Sequence, residues 1–120
     1  MKKQILVVDD ELMMTTLLEF FLGEKYSVSS VSSGKEALQW LDNNLPDLII
    51  SDIQMSEMSG FELLETIRLG GYTKHTPVIM LSGKSESKER VKSYQLGAQD
   101  YLTKPFNPEE LNEIVKKNLN

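Results

Sequence analysis

Residues 5–11 read Ile5-Leu6-Val7-Val8-Asp9-Asp10-Glu11, ILVVDDE. Four apolar residues without a polar alternation suit a strand buried on both faces, as in a parallel sheet. Three acids then end it. The same kind of apolar run returns at Leu48-Ile49-Ile50, at Pro77-Val78-Ile79-Met80-Leu81 and, shorter, at Tyr101-Leu102. Tyr26 to Val31 instead alternates apolar residues with serine, as an edge strand would. Between the runs the period changes to that of a helix. Met14, Leu17, Leu18, Phe21 and Leu22 form the apolar face of residues 11–24. Ala37, Leu38 and Leu41 follow a capping-box spacing at Ser33-Gly34-Lys35-Glu36, and that helix stops near Asn43-Asn44. Phe61, Leu64 and Ile67 precede Gly70-Gly71. Ser85 to Leu96 is a polar, weakly amphipathic helix ended by Gly97. Asn107-Pro108-Glu109-Glu110 supplies an N-cap, a first-turn proline and two acids to a helix with Leu111, Ile114, Val115 and Leu119 inside. A βα unit repeated five times predicts an α/β, doubly wound parallel sheet with right-handed crossovers and helices on both faces. No linker or low-complexity stretch divides residues 1–120, so a single domain is expected.

Composition narrows the function. The chain has 120 residues, 40% of them hydrophobic, a net charge of −5 and no cysteine. A disulfide framework and thiolate metal sites are excluded. The negative charge argues against direct nucleic-acid binding, which needs a positive field. Lys2 and Lys3 precede only a short apolar run, too short for a secretory signal, and no run reaches the ~18 apolar residues of a membrane helix. The expectation is a soluble, cytoplasmic domain with no membrane contact.

In open α/β sheets, ligands bind beyond the carboxyl ends of the strands, near the point where strand order reverses. Asp9 and Asp10 follow the first strand, Asp52 ends the third, Ser82 ends the fourth and Lys104 follows the fifth. If the first and third strands are neighbours, three carboxylates converge. Two unit charges ~4 Å apart repel by about 4 kcal/mol at an effective dielectric of ~20. A cation or a basic side chain relieves that repulsion. Hard carboxylate oxygens suit Mg²⁺, and Lys104 brings a second positive group. Glu11 reads more simply as a solvated acid at a helix start.

The chain resembles the receiver domains of bacterial two-component response regulators. The resemblance rests on VVDDE (7–11), DLIISDIQM (47–55), SGKS (82–85) and DYLTKPF (100–106), in that order on a (βα)₅ frame, and covers nearly the whole chain. It implies a flavodoxin-like sandwich with strand order 2-1-3-4-5. It implies that Asp52 is the phosphoacceptor and that Asp9, Asp10, Asp52 and the backbone carbonyl of Gln54 hold Mg²⁺. Ser82 would bond a phosphoryl oxygen, and Lys104 would pair with Asp52 and then with the phosphoryl group. Tyr101 would be a switch residue that turns inward once Ser82 is drawn to the phosphoryl group, and the Lys104–Pro105 bond would be cis. The implied donor is a sensor histidine kinase or a histidine phosphotransfer protein. The output would pass through the surface of the fourth helix, fifth strand and fifth helix. Slow loss of the phosphoryl group by hydrolysis is also implied, with Gln54 and Lys84 tuning it, and the domain is not a classical enzyme.

Departures from the family pattern are small. Ser56 stands where many members have proline, and Ser82 keeps the hydroxyl of the more common threonine. Helix five reads EELNEIVKKNLN, without the arginines that build a dimer in many relatives, although a phosphorylation-dependent dimer stays open. Lys88, Arg90 and Lys92 read as a solvated face. His75, Met13 and Trp40 receive no role. The rival readings are a pseudo-receiver that binds a partner without phosphorylation, a Mg²⁺-dependent phosphatase and a flavodoxin-like cofactor binder. The phosphatase would need a DxD pair and a cap insertion. The cofactor binder would need a phosphate loop where this chain has acids.

Overall fold

The computed structural model describes residues 1–84 and 86–120. Ser85, which opened the expected fourth helix and closed SGKS, lies outside the described residues. Five strands, β1 (Gln4–Val8), β2 (Ser27–Val31), β3 (Leu48–Asp52), β4 (Val78–Ser82) and β5 (Asp100–Thr103), alternate with α1 (Leu12–Leu22), α2 (Gly34–Leu41), α3 (Gly60–Leu69), α4 (Ser87–Gln95) and α5 (Pro108–Leu119). The strands form one parallel sheet in the order β2-β1-β3-β4-β5. β3 and β4 are buried at every position, whereas β2, at the edge, is nowhere fully buried. This is the contrast between unbroken apolar runs and a serine alternation that the sequence carried.

The two-residue period of each strand divides the core between the two faces. Ile5, Val7, Leu48, Ile50, Ile79 and Leu81 pack with Leu18 and Leu22 of α1 and Leu111 and Val115 of α5. Leu6, Val8, Ile49, Val78 and Met80 pack with Ala37 of α2 and Leu63, Leu64 and Ile67 of α3. α4 lies beside α3, with the Lys92 ammonium 4.5 Å above the Phe61 ring. Trp40 is half-buried against the second cluster.

Three local readings differ from expectation. On α1 the buried side includes Thr15, whose hydroxyl donates to the Leu12 carbonyl (3.0 Å), while Leu17 turns outward beside Leu12, Met13 and Phe20. A threonine that satisfies itself within its own helix can be buried at little cost. Ser33 caps α2 by accepting from Glu36 N (3.1 Å), but the Glu36 carboxylate reaches past the cap to Ser32 N (2.8 Å). The complete capping box is on α3, between Ser59 and Glu62. On α3, Leu63 joins Leu64 and Ile67 in the core, while Phe61 is only half-buried.

At the end of the sheet away from the acids, Arg68 ties α3 to the turn after α4. Its guanidinium donates to Gly97 O (2.8 and 3.1 Å), Thr76 O (2.8 Å) and Gln99 Oε1 (2.9 Å). Gly97 has φ +101°, and a Cβ there would lie 2.9 Å from Arg68 Nε. Glycine is therefore required both by the left-handed backbone and by the close approach. Arg68→Ala leaves these acceptors unpaired and is expected to cost about 2–4 kcal/mol in urea unfolding. The cluster of Asp9, Asp10 and Asp52, at the opposite end of the sheet, should be unaffected.

Candidate functional site

β1 and β3 are neighbours, and strand order reverses between β2-β1 and β1-β3, so the carboxyl ends of β1, β3, β4 and β5 lie together at one end of the sheet. Asp9 and Asp52 are buried there, and Asp10 is exposed. Oxygens of the three carboxylates lie within 4.8 Å of one another. α3 closes against the same strand end. Gly60 N donates to Ile53 O (2.8 Å), and a Cβ on Gly60 would sit 2.1 Å from the Asp52 carbonyl oxygen. A side chain at position 60 would therefore displace the strand end that carries Asp52.

Lys104 enters from β5. Its Nζ lies 3.1 Å from Asp9 Oδ2, 3.1 Å from Glu11 Oε1 and 3.3 Å from Asp52 Oδ1, with the side chain 12% exposed. The Lys104–Pro105 bond is cis. Asp9 Oδ1 accepts from Glu11 N (2.9 Å), and Asp52 Oδ1 accepts from Ile53 N (2.9 Å). Burial, followed by the charge on Asp9, pushes the Asp52 carboxyl up to about 6, against the opposing pull of Lys104 and the Ile53 N–H. Burial alone would lower the Lys104 ammonium, but the hydrogen bond to Asp9 and the charges of Asp52 and Asp9 outweigh it and raise its pKa. The site thus holds more negative charge than its ammonium neutralises. Hard oxygen donors with an uncompensated negative charge, one donor open to solvent, fit a small divalent cation.

Ser82 is fully buried at the end of β4. Its hydroxyl donates to Glu89 Oε1 of α4 and accepts from Lys84 N (3.1 Å). Tyr101 is 4% exposed; its hydroxyl bonds Lys84 O (2.5 Å) and lies 3.0 Å from Glu89 Oε1. Arg90 sits 4.7 Å from the ring centroid. Burial raises the Tyr101 phenol above its ordinary value. The resemblance implies that Tyr101 turns inward once Ser82 is drawn to a phosphoryl group; here the ring lies inward with Ser82 held by α4. Gln54, two residues past Asp52, is exposed and donates through Nε2 to Glu89 Oε2 (3.3 Å).

The structure therefore brings Asp9, Asp10, Asp52, Ser82, Lys104 and Tyr101 to one end of the sheet. Two participants were missed. Glu11, read as a solvated helix-start acid, is bound to Lys104, and Glu89, hidden among the charges of α4, holds Ser82. Glu89 lies seven residues beyond Ser82, across a turn into the next helix, and no short motif marks that distance. His75 is exposed ahead of β4, at the far end of the sheet.

Comparison with known proteins gives the same answer. A family model described as the response regulator receiver domain matches residues 5–116. The chain belongs to this family. The alkaline phosphatase synthesis transcriptional regulatory protein PhoP of Bacillus subtilis is 41% identical over 117 residues, which cover 97% of this receiver and 48% of that protein. A putative response regulator from Chloroflexus aurantiacus superposes with a TM-score of 0.95 at 37% identity, covering 99% of this chain and 98% of that one. The chemotaxis response regulator CheY4 of Vibrio cholerae does so with 0.93 at 32%, covering 99% and 100%. The receiver spans about half the length of most of the curated regulators it matches. No helix among the described residues is long and apolar enough to cross a membrane.

Proposed function

We propose that residues 1–120 act as one receiver unit that accepts a phosphoryl group on Asp52 from a histidine-phosphorylated partner, in the cytoplasm, and passes the change on through α4, β5 and α5. The observation that carries this reading is the buried Asp52 carboxylate, within 3.3 Å of Lys104 and clustered with Asp9 and Asp10. In-line attack of a carboxylate on phosphorus is opposed by repulsion between anions, so the site's main task is positioning and neutralisation. Asp9, Asp10, Asp52 and the Gln54 carbonyl would hold Mg²⁺, which when bound neutralises charge on the phosphoryl oxygens. Lys104 stays beside Asp52 and is drawn to the new dianion. Ser82 turns its hydroxyl to a phosphoryl oxygen. The partner's imidazole is the leaving group and needs no general base on this chain.

The added charge and acceptors redistribute the site's hydrogen bonds, and the α4–β5–α5 surface shifts between populations of arrangements. Asp100 of β5 already ties to Lys117 of α5 (3.0 Å), so movement of β5 reaches α5 directly. Which kinase and which output are served depends on surfaces beyond this site.

Intact mass after incubation with acetyl phosphate tests the reading. Wild type with Mg²⁺ should gain one phosphoryl group, while wild type without Mg²⁺ and Asp52→Asn with it should gain none. No gain by wild type, under conditions that label another receiver, favours the pseudo-receiver.

A further inference from the structure

Ser82 has one hydroxyl proton, and the residue is fully buried, so no bulk water shares it. That proton is committed to Glu89 Oε1. The same carboxylate oxygen faces the Tyr101 hydroxyl, whose single proton also has Lys84 O within reach (2.5 Å). Glu89 Oε2 meanwhile accepts from Gln54 (3.3 Å). Two hydroxyl protons thus serve two acceptors at rest, the carboxylate and the Lys84 carbonyl. A phosphoryl oxygen on Asp52 would be a third.

We propose that Glu89 is a positioning residue that sets how readily the site accepts a phosphoryl group, by holding the Ser82 hydroxyl that the group must capture. The proposal rests on the phosphoacceptor reading above and extends it to a residue on α4. Capture of Ser82 by the phosphoryl oxygen breaks the Ser82–Glu89 bond. Glu89 thereby links chemistry at Asp52 to the start of α4, and it opposes phosphorylation.

Beryllofluoride, a phosphoryl mimic, titrated in Mg²⁺ and followed by fluorine NMR, tests this in four proteins: wild type, Glu89→Gln, Ser82→Ala and the double variant. A hydrogen bond to a charged acceptor is roughly twice as strong as one to a neutral acceptor. Glu89→Gln should therefore release Ser82 and tighten beryllofluoride binding by about 3–10-fold. In the Ser82→Ala background the same change should shift binding by less than about 2-fold, because there is no hydroxyl to release. If Glu89→Gln fails to fold, Glu89→Asp, with the carboxylate withdrawn by one methylene, should tighten binding in the same Ser82-dependent way. Equal tightening in both backgrounds would mean a through-space charge effect and overturns the proposal. Unchanged or weaker binding in Glu89→Gln overturns it as well. Failure of wild type to bind beryllofluoride overturns the phosphoacceptor reading and this inference with it, whereas binding that ignores Glu89 overturns the inference alone.

Discussion

Asp52→Asn is expected to be more stable than wild type by about 2–3 kcal/mol near pH ~7.5 without Mg²⁺, even though it loses the proposed phosphoacceptor. The carboxyl titrates at about 6 in the folded protein against an ordinary value of 3.8, chiefly through burial and then through the charge on Asp9. A raised folded value means that the native state binds the proton more tightly than the unfolded state does. Below an unfolded pKa of about 4 both states are protonated and Asp52 costs nothing. Between about pH 4 and 6 the unfolded chain ionises first, and stability falls as pH rises. Above about 6 both are ionised, and the full cost, ~1.4 kcal/mol per pKa unit, is present. Asparagine keeps the shape and removes the titration. Urea unfolding of both proteins across about pH 4 to 8 isolates the effect, because groups common to the two cancel in the difference. The difference should be small near pH ~4, maximal above ~6 and reduced by Mg²⁺. A less stable asparagine variant at pH ~7.5 would show that pairing with Lys104 outweighs burial and repulsion.

Lys104→Met carries the opposite sign. The ammonium is shared among Asp9, Glu11 and Asp52, and two of those carboxylates are almost wholly buried. Removing one member of a buried ion pair typically costs 3–5 kcal/mol, because the remaining charge is left uncompensated. Glu11 is exposed, with 62% of its side chain open, so its share is screened and adds little. A loss of about 3 kcal/mol near pH ~7.5 is expected in urea without Mg²⁺. The freed carboxylates should then bind Mg²⁺ more tightly than in wild type, so added Mg²⁺ should stabilise this variant more than it stabilises the parent. Equal stability of variant and parent, without Mg²⁺, would sink the view that Lys104 is the main neutraliser of the acid cluster. The two variants together separate its functions: one relieves the site's excess negative charge, and the other exposes it.

The fold was legible because its signals are local. ILVV at 5–8, LII at 48–50 and VIML at 78–81 have no polar face, and SVSSV at 27–31 has one, which distinguishes central strands from an edge. Asn107-Pro108 marks the start of α5, and Gly97 follows α4. Because the acids and Lys104 stand at strand ends, the order of elements was enough to place them at one end of the sheet. Helix rotation was harder to read. Leu17 was expected inside, yet α1 is turned so that a self-bonded threonine, Thr15, is buried and this leucine is left at the surface. Apolar periodicity cannot register a polar side chain that satisfies itself.

What the sequence determined by itself was the alternation of strands and helices, the family, and the set of residues at the strand ends, since all of these follow from short-range pattern and spacing. The tertiary structure alone decided who holds whom: Glu11 on Lys104, Arg68 on Gly97, and Glu89 on Ser82 and Tyr101. Each of those partnerships depends on how far a helix is rotated and how close it lies to a strand end. Those are set by packing across the two faces of the sheet, and no local stretch of the chain encodes them.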